Sequence, residues 1–119
     1  MVDLKLPEIE AVEDITVGQA KELFAKGAKI IPIKSGNKIS HAILPKKFLE
    51  LVILKKLTSA DSALKTKSNE FVVVPDSLDA GQLSKVLERH EAAIVEKRDG
   101  DKIEKLWVAS ANDLFNLIK

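Results

Sequence analysis

The chain places a hydroxyl three residues ahead of an acid or an amide at Thr16/Gln19, Thr58/Asp61 and Ser110/Asp113, among other places. At that spacing the two side chains can cap a helix, each serving backbone N–H groups at the other's position. Because the pattern recurs, spacing alone reads as capping chemistry. The two histidines, His41 and His90, fall in different elements, which argues against a histidine metal cluster. His41 reads as a surface or packing side chain. His90 ends a helix, where a cation complements the dipole. Cysteine is absent, so disulfides, zinc–thiolate sites and thiol nucleophiles are excluded. Trp107, alternating with Val108 on a strand, reads as core or interface, and Lys46-Lys47 and Lys55-Lys56 as solvated helix ends.

The elements that position these residues read as one unit written twice. Thr16–Leu51 runs helix, strand, turn, strand, helix, and Asp79–Ile118 repeats that order. In the first copy Val17, Ala20, Leu23 and Phe24 take the inward face of a helix that Gly27 ends. Ile30, Ile31 and Ile33 then form a short buried strand, with Pro32 at a ladder end or bulge. Ser35-Gly36-Asn37 turns the chain into a second strand over Lys38–Leu44, and Pro45 suits the first turn of the next helix. That helix carries Phe48, Leu49, Leu51, Val52, Ile53, Leu54 and Leu57, with almost no polar face. It is expected to be covered on more than one side, by another subunit or domain or by lying between the halves.

In the second copy, Phe71–Val74 reads as a buried strand, and Leu83, Val86 and Leu87 face inward on the helix that follows. Asp99-Gly100 is a strong hairpin turn signal before a strand over Ile103–Ala109. Ser110 starts a last helix expected to bury Ala111, Leu114, Phe115 and Ile118. The expected division is a linker or edge segment at 1–15, a first repeat at 16–57, a polar connector at 58–70 with a single helical turn, and a second repeat at 71–119.

At 119 residues the chain is long enough for one shared core rather than two independent ones. Nineteen basic and 18 acidic residues give a formal charge of +1, which supplies no electrostatic reason for a nucleic-acid or acidic-membrane partner. The longest apolar run, Phe48–Leu54, is interrupted by Glu50 and is too short to span a bilayer. No charged-then-apolar leader is apparent. A soluble cytoplasmic domain is expected. The opening Met1-Val-Asp-Leu-Lys-Leu-Pro reads as a domain linker fused to a start codon, so an excised fragment is expected.

Strand, turn, strand, then Ser110-Ala-Asn-Asp113 opening a helix resembles the tandem CBS-domain pair, or Bateman module. So does Lys26-Gly27 ahead of Ile30-Ile31-Pro32-Ile33. Val2-Asp3-Leu4-Lys5-Leu6, Asp76-Ser77-Leu78 and Asn112–Leu117 are similar to the C-terminal regulatory region of cystathionine beta-synthases, and the similarity covers nearly the whole chain. The implied fold is α/β: two βαββα-like repeats packed as a pseudo-twofold module. The implied role is regulation of a catalytic domain that uses pyridoxal phosphate to condense serine with homocysteine, with a second copy of the chain as dimer partner.

The resemblance also implies an adenosyl cleft, with S-adenosylmethionine as ligand. Ser110 and Asp113 match the residues that hold the ribose, Ala28, Ile30 and Ile31 the adenine side, and Val108 and Asn112 the lining. The chemistry is sound, since a carboxylate accepts both hydrogens of a vicinal diol. The first-half positions equivalent to Ser110 and Asp113 read as Ile43 and Lys46, neither of which can serve a ribose. Ala28 stands where regulated members carry an aromatic ring, and Lys29 replaces an acid. Losing a base-stacking ring costs ~1–3 kcal/mol. The preferred expectation is therefore a structural and autoregulatory module with a degenerate cleft. The alternatives are a working S-adenosylmethionine or adenine-nucleotide sensor, and a standalone pair that regulates a different protein. No cradle for pyridoxal phosphate and no Schiff-base lysine context is present, so the fragment itself is expected not to be an enzyme.

Overall fold

The computed structural model describes residues 5–118. Val2, Asp3 and Leu4 of the expected linker motif lie outside the described residues. In chain order the elements are β1 (Glu8–Ile9), α1 (Val17–Ala25), β2 (Ile31–Ser35), β3 (Lys38–Ile43), α2 (Pro45–Leu54), β4 (Val73–Pro75), α3 (Ala80–Leu87), β5 (Ala92–Asp99), β6 (Lys102–Ser110) and α4 (Ala111–Phe115). A 3₁₀ turn spans Ala63–Thr66. The backbone forms two compact units: Ala11–Glu70, and the stretch ending at Glu10 joined to that beginning at Phe71.

In the 11–70 unit, Thr16 and Gln19 form a reciprocal capping box. The Gln19 N–H donates to Thr16 Oγ1 (3.1 Å) and the Thr16 N–H to Gln19 Oε1 (2.9 Å). The next two N–H groups of α1 donate to the carbonyls of Asp61 and Ser59, so segment 58–61 completes the helix start. Val17 and Ala20 are buried, and the Phe24 ring meets Phe48 with centroids 5.2 Å apart. Leu23, expected inward, is exposed, because it sits about a quarter turn from the Val17–Ala20–Phe24 stripe. Gly27 follows the helix at φ +103°, a conformation only glycine adopts cheaply.

β2 and β3 pair antiparallel through a Gly36-Asn37 turn, with Ile31 opposite Ile43 and Pro32 opposite Ala42. Val12 bridges Ile33 in parallel: its N–H donates to Pro32 O and its carbonyl accepts from the Lys34 N–H. Proline at 32 therefore costs no ladder bond on that side. Ser68 bridges Ala42 on the β3 side. Ile31, Ile33, Ile43, Phe48 and Ala63 close this unit's core.

The other unit repeats the scheme with longer strands, in the order β1-β6-β5-β4. β4 runs parallel to β5, β5 and β6 form a hairpin around Gly100 (φ +61°), and β1 pairs antiparallel with β6. Each hairpin thus has a parallel neighbour on one side and an antiparallel one on the other, reduced to single bridges in the 11–70 unit. The Phe71–Val74 strand begins two residues later than expected and takes in Pro75, while Val72 O accepts the Ile94 N–H just outside it. Asp79 and Gln82 form a second reciprocal capping box that opens α3. Leu83 is buried, and Val86, Leu87 and Trp107 pack against the core of Val74, Ala93, Val95 and Ala109.

Two helices leave apolar side chains exposed, which for α4 departs from expectation. In α2 only Phe48 is buried, while Leu49, Ile53 and Leu54 are 60, 65 and 68% exposed. In α4, Leu114 packs on the core, but Ala111 and Phe115 are exposed, as is Ile118 beyond the helix end. A short helix lying on a sheet offers the sheet about one side chain per turn, and the rest face away.

Candidate functional site

Ser110 ends β6 opposite Ala92 and is the N-cap of α4, in extended backbone and 6% exposed. Its N–H donates to Asp113 Oδ2 at 2.8 Å, and its Oγ donates to the same oxygen at 3.0 Å. Both donors of the serine therefore converge on one carboxylate oxygen. The same convergence recurs at Thr58, whose N–H and Oγ1 reach Asp61 Oδ2 at 2.7 and 3.3 Å. Val108, two residues before Ser110, shares its face of the strand and is buried. The Val108 N–H donates to Pro7 O (3.0 Å). Asn112 is exposed on α4, and Asp113 is half-buried. Val108, Ser110, Asn112 and Asp113 thus gather at one strand end.

The remaining three expected residues gather at the α1–β2 junction of the 11–70 unit. The Ala28 N–H donates to Leu23 O (3.0 Å), closing the helix end. Ala28 is half-buried, Ile30 and Ile31 are buried, and Lys29 is exposed. No ring is present at position 28 to stack on a base.

The pairing of first-half and second-half positions shifts by one residue. Leu44 is the N-cap of α2 with Pro45 following, as Ser110 is of α4 with Ala111 following. Asp113 then corresponds to Lys47 rather than Lys46, and Ser110 to Leu44 rather than Ile43. Packing agrees: Phe48 matches the core-facing Leu114, and Leu49 matches Phe115, both 60% exposed. Phe48 and Phe115 each fall in the closing helix of a repeat, but their burial shows that they are not equivalent. A leucine cap and a lysine have no acceptor for a ribose, so the correction leaves that half chemically empty.

The Asp61 carboxyl is held below the ordinary value chiefly by the Thr58 N–H, with partial desolvation acting against this and the charge of Lys65 adding to it. Among the described residues no group of three His, Asp or Glu side chains is placed to hold a metal. No helix among them is long and apolar enough to cross a membrane.

Two repeats of helix, strand, strand and helix in this order superpose on solved CBS-domain structures. A CBS domain-containing protein from Bacillus anthracis superposes with a TM-score of 0.73 at 12% identity, over 95% of this chain and 88% of that one. A protein with CBS domains from Burkholderia ambifaria gives 0.69 at 21% identity, over 92 and 82%. The CBS domain pair of protein MJ0100, solved in complex with 5′-methylthioadenosine and S-adenosyl-L-methionine, gives 0.71 at 15% identity, over 98 and 95%. Neither a family model nor a curated relative matches the sequence. The chain has the fold of a CBS-domain pair, the Bateman module.

Proposed function

We propose that this chain is the regulatory and dimerisation module of a cystathionine beta-synthase whose catalytic domain holds pyridoxal phosphate, and that it acts through protein contacts with its adenosyl cleft degenerate. The observation that carries the reading is the closure of Ser110 onto Asp113: the N–H and Oγ both bond Oδ2. A ribose diol would have to displace a capping interaction that the helix start already uses. Leu44 and Lys47 in the matching half, and Ala28 in place of a ring, point the same way. The parent enzyme rests on the sequence resemblance at Asp76-Ser77-Leu78 and Asn112–Leu117. The exposed apolar side chains of α2 support pairing with a second copy. A net charge of +1 favours neither nucleic acid nor a membrane surface, and we place the module in the cytoplasm.

A second reading is a working sensor for S-adenosylmethionine or an adenine nucleotide. It is favoured by the retained Ser110/Asp113 pair and by the ligands of the MJ0100 pair. Isothermal titration with S-adenosylmethionine, AMP and ATP decides between them. Absence of saturable heat at millimolar ligand supports the protein-contact module. Micromolar binding that Asp113→Ala abolishes would replace it with the sensor.

A further inference from the structure

We infer that the open hollow at the C-terminal end of α3 binds a small anion that carries an apolar body. The hollow has a volume of about 490 Å³ and is lined by Val72, Lys85, Val86, Glu88, Arg89 and His90. That volume lies within the roughly 300–1,000 Å³ range of small-molecule sites. Its floor is apolar: Val72 and Val86 are half-buried and pack on the unit's core from beneath. Its rim is cationic. Lys85 lies in the last turn of α3, Arg89 follows just past the helix end, where its N–H donates to Val86 O, and His90 is next in the chain.

These cations are not consumed by neighbouring acids. The ion pairs Lys47–Glu50, Lys65–Asp61, Lys97–Glu104 and Arg98–Glu96 all lie elsewhere, and among the described residues none is formed by Lys85, Arg89 or His90. The carbonyl end of a helix is equivalent to only about half a negative charge. Lys85 and Arg89 therefore outweigh that half charge and Glu88 together. An apolar floor beneath a net positive rim suits a carboxylate, sulfonate or phosphate ester on a compact hydrocarbon or ring. None of the lining residues is among the seven candidate adenosyl contacts, so the inference stands apart from the fate of that cleft.

The test is a fluorescence titration of the intact chain with 8-anilinonaphthalene-1-sulfonate, an anion on an aromatic body. Saturable 1:1 enhancement is expected, weakened at least about tenfold by Lys85→Glu/Arg89→Glu, as reversal of two charge-assisted contacts requires. Arg89→Gln should give an intermediate loss, and both variants should keep the parent's circular dichroism and melting temperature. Unchanged dye affinity in the double variant overturns the inference. So does loss of the signal in Leu49→Glu/Ile53→Glu, which would place the dye on α2.

Discussion

The Gly18 N–H donates to the Ser59 carbonyl at 3.0 Å, and a Cβ at position 18 would lie 3.2 Å from both the Cβ and the O of Ser59. The glycine is thus kept by close approach of two backbones rather than by its dihedral freedom. Gly18→Ala should gain up to ~1 kcal/mol of helix propensity and lose about 1–3 kcal/mol to overpacking. A net loss is expected, visible as a lower urea midpoint. Gly18→Val should be worse still.

Lys56 is the one described residue other than glycine with positive φ, at 53°, just past α2. Its N–H donates to Ile53 O and that of Leu57 to Val52 O, closing the helix end. A side chain in that region costs roughly 1–2 kcal/mol, against a smaller entropic cost for glycine. Lys56→Gly should raise stability by about 0.5–1 kcal/mol in chemical denaturation.

The depressed Asp61 carboxyl makes a pH prediction. A folded-state pKa below the unfolded one contributes stability above the unfolded value of about 3.8, lost as pH falls through the lower folded value. Asp61→Asn should therefore melt below the parent at pH 7. The two curves should converge in the acid range below both values. A melting temperature series from pH 2 to pH 7 checks the sign.

Asp113 tests whether the carboxylate belongs to the fold. With both donors of the mostly buried Ser110 resting on Oδ2, Asp113→Ala should cost about 1–2 kcal/mol without any ligand present. A neutral substitution would mean that the acid is held for something other than the cap.

Leu49, Ile53 and Leu54 on α2 should govern self-association. Replacing Ile53 with glutamate should shift the sedimentation coefficient towards the monomer while leaving the melting curve nearly unchanged, since the side chain is 65% exposed. A parent chain that sediments as a monomer at all concentrations would remove this face from the proposed dimer.

What was legible in the sequence followed from local chemistry. The Thr16/Gln19 box, Gly27, Gly36 and Gly100 each announce a helix start, a helix end or a turn, and each stands where expected. The duplication was legible because both copies share that punctuation. The Asp79/Gln82 box is less conspicuous than the hydroxyl caps, although an aspartate serves equally well. Helix burial was harder to read. An apolar side chain at helical spacing shows that some face is covered, but not how many residues a short helix can turn towards a sheet, as Phe115 demonstrates. The Ser110/Asp113 pair was visible as a pattern, while the closure of one onto the other required coordinates.

The pairing of Glu8 with Trp107 bears on the order in which the molecule assembles. Residues 11–70 contain all the partners of their own hairpin, so that half can condense from local sequence. The four-stranded sheet takes its edge from one end of the chain and its centre from the other. It cannot be completed during synthesis until Trp107 has emerged, and closing so long a loop is the slow kind of contact. Removing the chain through Ile9 should therefore spare the early-folding half and leave β6 as an open edge on the late one.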